Sequence, residues 1–325
     1  MYLNHFMVST VIGAALTLTA CGKKADVATP TGKPNSTTSN TSSKKNAGSD
    51  EDQAIKKMNG YVSAHNGLIG MFYSSTKGLK GLLRDYEAQN IPKKTTVDAN
   101  SRIDLYLNLS ILKNSLNSLR ESKDLKGNSE LAKLEELAGK LLTNGDLLLT
   151  KGSDLENYFK SKKYLDDNLG KAKAEHTEFV RLWQAFIADA DAFSNELDVV
   201  ERARRIAAVK KLRGEGNNRL AANEEAMLAS NEMLALFNSK VDFKNPEKIK
   251  TADALALQLE KVTNEIKTEN DKVKDDKATS YTRVYEQMNS FMGAYRTVKA
   301  TGDNRQFDEM VRHYNSAVKE QKSLK

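Results

Sequence analysis

From residue 51 onward, apolar residues recur at alternating steps of three and four, the spacing of helices that each bury one stripe. Ile55, Met58, Val62, His65, Ile69, Phe72, Thr76, Leu79, Leu83 and Tyr86 keep this rhythm and predict a first helix about 50 Å long if unbroken. Gly60, Gly67 and Gly81 lie opposite that stripe, although glycine costs up to about 1 kcal/mol relative to alanine in a helix. Either a second helix approaches closely on that side or the helix breaks near Gly78 to Gly81. After Pro92, Thr95 and Asp98 have capping-box spacing, and Ile103, Tyr106, Leu109, Leu112, Leu116 and Leu119 carry the next predicted helix. Leu131, Leu134, Leu137 and Leu141 begin a third, interrupted near Asn144-Gly145 and resumed through Leu155, Tyr158 and Phe159.

The stripe His176, Phe179, Trp183, Phe186, Ala190, Phe193, Leu197 and Val200 is the most aromatic, and its helix can run on to Arg213 before Gly214 and Gly216. Leu220, Met227, Leu234 and Phe237 follow. Asn245-Pro246-Glu247 then supplies an N-cap, a first-turn proline and an acid for the helix dipole, opening a helix through Ile266. Tyr281 to Val298 and Phe307 to Val318 give the last two stripes. No stretch shows sustained two-residue alternation, so no sheet is expected. The fold class predicted is all-α: an elongated antiparallel bundle of long amphipathic helices, within which two bundles can share a helix. With only Pro92 and Pro246 beyond Pro34, and no linker, residues 53–322 read as a single helical domain.

The first fifty residues differ in kind. Residues 6–20, FMVSTVIGAALTLTA, form an apolar run too short to span a bilayer, which fits a signal-peptide core over residues 1–20. Leu18-Thr19-Ala20-Cys21 resembles the lipobox of bacterial lipoproteins, which implies cleavage before Cys21 and acylation of its thiol and amine. Two or three acyl chains hold a protein far better than one, since each buried methylene adds about 0.8 kcal/mol. The n-region MYLNHFM lacks Lys and Arg, so a start codon further upstream is expected. Residues 21–52 then read as a lipidated cysteine and a polar, disordered tether spanning roughly 30 Å on average. Gly22 stands where an aspartate would resemble an inner-membrane retention signal, which favours the outer membrane, facing the periplasm.

Charge and cysteine content narrow the chemistry. The formal charge is +7, but Lys23, Lys24, Lys33, Lys44 and Lys45 place much of it in the tether, near anionic headgroups. Export removes nucleic acid as a partner. Cys21 is the only cysteine, so disulfides, cysteine metal sites and a cysteine nucleophile are excluded from the body.

Three histidines remain after the signal peptide. His65 and His176 sit on apolar stripes, where a hydrogen-bonded core histidine is the usual reading. Glu309 and His313 share a helix face and could donate to one metal ion, but no sequence-local third ligand accompanies them, so no metal site and no cofactor is expected. No phosphate-binding glycine loop, GxSxG elbow or HExxH helix occurs. The basic run from Arg202 to Arg213 reads as a solvated helix face, because its charges are spread around the helix.

Tyr158-Phe159, Lys163-Tyr164, Asp166-Asp167-Asn168, Gly170, Lys171 and His176 resemble the central motif of the YiiG-like family of bacterial lipoproteins. Tyr61-Val62 with His65-Asn66, and His313-Tyr314-Asn315, extend the resemblance over about residues 54–318. It implies a helical, membrane-tethered body and no particular activity. Physically, Asp167 or Asn168 can cap the helix bearing His176. As a binding site, Tyr164, Asp166, Asp167, His176 and Trp183 are the candidates. The expectation is a non-enzymatic envelope lipoprotein, held to the membrane by lipid on Cys21, with an envelope protein as partner. A small-ligand or metal-binding periplasmic module is the alternative.

Overall fold

The computed structural model describes residues 43–73, 78–237 and 240–324; the signal-peptide segment and Cys21 lie outside the described residues. Nine α-helices and no strand occur among them. The helices are α1 (Ser43–Tyr73), α2 (Gly78–Ala88), α3 (Leu109–Lys123), α4 (Ala132–Lys160), α5 (Gly170–Gly214), α6 (Asn218–Ala235), α7 (Pro246–Asp271), α8 (Ala278–Thr301) and α9 (Asn304–Gln321). The fold is all-α. α1 begins at Ser43, inside the span expected to be tether.

Contacts between successive partners run in opposite register, so the neighbours are antiparallel. Gly60 and Gly67 of α1 meet Ser122 and Ser115 of α3. Leu116 and Leu109 of α3 pack at Gly145 and Gly152 of α4. Asn144 donates to Asp189 (2.6 Å) while Asp154 pairs with Lys171 (2.6 Å), which orients α4 against α5. Beyond the waist of α5, Arg202 reaches Glu232 and Arg213 reaches Glu225, which reverses α6 against it. Arg296–Glu260 with Asn270–Thr282, and Arg283–Glu320 with Gln287–His313, do the same for α7–α8 and α8–α9.

The buried apolar residues separate into two cores. One takes in α1 to α5 as far as Val200; the other begins at Ala222 and ends at Leu324. α5 serves both as an unbroken helix of 45 residues, about 67 Å long. In the second lobe α6 is central, packed by α5, α7, α8 and α9. Its buried positions therefore surround it and include Asn223, Glu224 and Ser230.

Several local expectations are corrected. Both explanations for the α1 glycines hold in part. A Cβ on Gly60 would collide with the Ser122 side chain, and one on Gly67 would stand 2.6 Å from Ser115 Oγ, so α3 approaches closely. A new helix nevertheless starts at Gly78, whose φ of +63° an L side chain rarely adopts.

The Thr95/Asp98 capping box does not form. Asp98 instead accepts from Asn100 N–H and the Ser101 hydroxyl in a tight turn, and α3 starts only at Leu109, capped by Asn108 Oδ1 to Ile111 N–H (3.1 Å). Residues 103–108 form no helix, and Tyr106 among them is left-handed. Leu105, Leu107 and Leu109 are buried, Asp104, Tyr106 and Asn108 exposed, a two-residue alternation that the leucine periodicity of α3 masks. The segment has no strand partner among the described residues; the Gln89 amide pairs both ways with the Asp104 backbone, at 2.6 and 2.8 Å.

Nor is α4 interrupted at Asn144-Gly145. Gly145 stays helical, and its missing side chain leaves the room that Leu116 and Phe186 fill. The expected Asn245 cap is present, accepting from Glu247 and Lys248 N–H, with Pro246 at the first position.

Candidate functional site

The turn between α4 and α5 is built from backbone that side chains normally avoid. Lys162, Asn168 and Leu169 have φ of +56°, +51° and +65°, and Asn90 and Tyr106, in the segment running from α2 to α3, are also left-handed. All five non-glycine residues of this kind among the described residues fall in these two segments, which hold each other. Lys162 Nζ donates to Ala99 O (3.1 Å), Tyr164 OH to Ser101 O (2.9 Å) and Asn168 Nδ2 to Thr95 O (2.7 Å). Such strain persists where surrounding contacts over-determine the backbone. Three side chains from one turn thus clasp three carbonyls of the other segment.

Asp167 fixes the start of α5. Its Oδ2 accepts from Lys171 N–H (2.9 Å) and its Oδ1 from Tyr158 OH (2.5 Å). Partial burial opposes ionisation, but these hydrogen bonds outweigh it and hold the carboxyl below the usual range. Burial, then the bond and charge of Asp167, push the Tyr158 phenol up. Lys171 bonds Asp154, which raises the ammonium, and it stands over the Tyr158 ring at 5.9 Å. An open cleft of about 760 Å³ lies over this group, lined by Asp154, Tyr158, Lys163, Asp166, Asp167 and Lys171 among others.

Of the sequence candidates, the cleft brings together Asp166 and Asp167. Tyr164 is buried behind it, its hydroxyl committed to Ser101. His176 faces elsewhere: it stacks on Tyr86 (centroids 5.5 Å apart, planes 21°), and burial lowers its pKa, with Glu87 opposing. Trp183 is fully enclosed against Phe179 and Tyr86. His65 is a core histidine whose Nε2 lies 2.8 Å from Ser194 Oγ, and burial lowers its pKa to about 4. Glu309 and His313 stand 3.7 Å apart, but Arg312 binds the same carboxylate and Gln287 Oε1 lies 2.9 Å from His313 Nδ1. Among the described residues no group of three His, Cys, Asp or Glu is placed to hold a metal.

Sequence reasoning passed over Lys162 and the Gln89–Asp104 pairing. Bonds to distant backbone carbonyls leave no periodic trace, although Lys162 stands in the same turn as Lys163-Tyr164.

A family model described as "Protein of unknown function (DUF3829)" matches residues 52–324. The chain belongs to the DUF3829 family. The DUF3829 match starts within α1 and reaches the turn after α9, so it includes both lobes and the helix that joins them. No curated protein and no solved structure matches the chain.

Proposed function

We propose that this DUF3829 chain is a bacterial envelope lipoprotein of the YiiG-like kind, cleaved before Cys21 and anchored there, most simply in the outer membrane. The observation that carries this reading is Leu18-Thr19-Ala20-Cys21, closing a 15-residue apolar run over residues 6–20 and standing before a polar stretch. No described helix is long and apolar enough to cross a membrane, and the proposed anchor is the lipid on Cys21. The two-lobed body acts without catalysis, as a partner-binding or structural element of the envelope. Its support is that polar groups at the α4–α5 turn are engaged in holding the chain: Asp167 caps, Tyr164 and Asn168 clasp.

Metabolic labelling with radioactive palmitate tests the anchor. The wild type takes up label, whereas Cys21→Ser takes up none; equal labelling of the two would refute it. In-cell crosslinking of the native protein tests the role, and recovery of no specific envelope neighbour would remove it. The cleft over Tyr158 and Asp167 supports a second reading, a small-ligand module. A ligand copurifying with the wild type but not with Asp166→Ala/Lys163→Ala would favour it.

A further inference from the structure

Folding sorts the basic run of α5 into two classes. Arg205 turns inward to Glu201 and Glu224, and Arg213 is held by Glu225 and Glu265. Arg202 is bound by Glu232 at 2.6 Å. Arg204, Lys210 and Lys211 carry no ion pair among the described residues. On the side of Lys210, α5 leaves Val199 61% and Ile206 43% exposed, with Ala203 and Ala207 also open, whereas Arg204 is half-buried and lies off that side.

Positions 199, 203, 206 and 210 are spaced four, three and four, so they form one stripe, with Ala207 and Lys211 beside it. Glu196 stands one turn before the stripe and Glu215 lies past the helix end. Asp198 and Glu201 lie toward the Arg205 side by their spacing of three and four, although Asp198 is itself exposed. From Val199 to Gly214 the stripe itself therefore carries no carboxylate of α5, while exposed Asp198 and the Glu232 held by Arg202 flank it on one side. The wider surroundings agree in sign: residues 201–325 hold 24 Lys and Arg against 19 Asp and Glu, and residues 51–200 hold 21 against 22.

We propose that this outer face of α5, Val199 to Lys211, rests on an anionic phospholipid surface. Aliphatic side chains beside lysines that no carboxylate neutralises suit the headgroup boundary, where alkyl groups enter and lysines meet phosphates. The contact is separate from the lipid anchor and does not require Cys21 to be acylated.

The test uses the chain from residue 21 with Cys21→Ser, which retains every described residue and has neither lipid nor thiol. It should sediment with vesicles of phosphatidylglycerol and phosphatidylcholine but not with phosphatidylcholine alone. Each cation near such a surface is worth about 1 kcal/mol, so Lys210→Gln/Lys211→Gln should weaken partitioning roughly 30-fold. A polarity-sensitive dye on Val199→Cys should shift to the blue on the anionic vesicles, and one on Leu257→Cys, exposed on α7, should not. Glutamine at Lys23, Lys24, Lys33, Lys44 and Lys45 should leave the Val199 shift in place. The proposal is overturned by no sedimentation, by equal binding of the double variant, by loss of the shift only with the tether variant, or by capture of soluble polyanions without vesicles. Failure of the anchor would appear separately, in the palmitate labelling.

Discussion

The N-terminal lobe surrounds its half of α5 with large apolar side chains: Phe179, Trp183, Phe186 and Phe193 are fully buried against Tyr61, Tyr86 and the leucines of α3 and α4. The C-terminal lobe buries Arg205, Glu224, Asn223 and Gln321 around a central helix rich in alanine. Neither amide of Asn223 or Gln321 has a hydrogen-bond partner among the described residues. The N-terminal lobe gains most of its stability from apolar area, at roughly 25 cal/mol per Å², around the ion pair that buried Lys57 makes with Glu135. The other also buries a charged cluster, Arg205 with Glu201 and Glu224, where a single loss is expensive because it strands a charge. The same helix is thus held by forgiving packing at one end and exacting chemistry at the other.

The largest effect should come from breaking the buried pair. Arg205→Leu leaves Glu201 and Glu224 without their cation and should cost about 3–5 kcal/mol in denaturant unfolding, with Arg205→Leu/Glu224→Leu recovering much of it. A loss below about 1 kcal/mol would show that water reaches the pair. Next, Ala203→Pro at the exposed waist of α5 should cost about 3 kcal/mol and split calorimetric unfolding into two transitions. A single transition would mean that the lobes communicate without α5.

Acid should act through the N-terminal lobe. His65 has a folded pKa near 4 against about 6.5 unfolded, so its folded form is the neutral one. The unfolded chain binds the extra proton between those values. Stability is therefore intact above pH 6.5 and falls by about 3 kcal/mol on acidification to pH 4. His65→Gln should flatten that slope, and an unchanged slope would assign the acid sensitivity elsewhere.

Smaller effects test close packing and the clasp. Gly60→Ala should cost about 1–3 kcal/mol by collision with Ser122, and Ser122→Gly should rescue it. Gly293→Ala, with open space around it in α8, should instead gain about 1 kcal/mol. Tyr164→Phe should cost about 1 kcal/mol and speed amide exchange in residues 95–101, sparing the C-terminal lobe. Uniform exchange in both lobes would dissolve the contrast.

The aromatic lobe was the more legible in sequence, and its physics says why. Phe179, Trp183, Phe186, Phe193, Leu197 and Val200 are all buried, because a helix packed on one side shows its period directly. α6 is enclosed all round, so polar Asn223 and Glu224 occupy positions that periodicity assigns to solvent. The alternation from Ile103 to Leu109 merges into the leucine rhythm of α3, and Gly145 looks like a break until Leu116 is set against it. At the candidate site, the Asp167 cap is local and was readable. The clasp onto Thr95, Ala99 and Ser101 spans more than sixty residues and rests on carbonyls that every residue carries.

A single helix 45 residues long is also a lever. Its hydrogen bonds all lie along one axis, so it resists bending far more than a loop of equal span. A tilt of about 5° imposed where α5 is clasped would carry its far end sideways by roughly 6 Å over a length of about 67 Å. The two lobes therefore move as ends of one beam, and a load taken up by either is felt as displacement at the other.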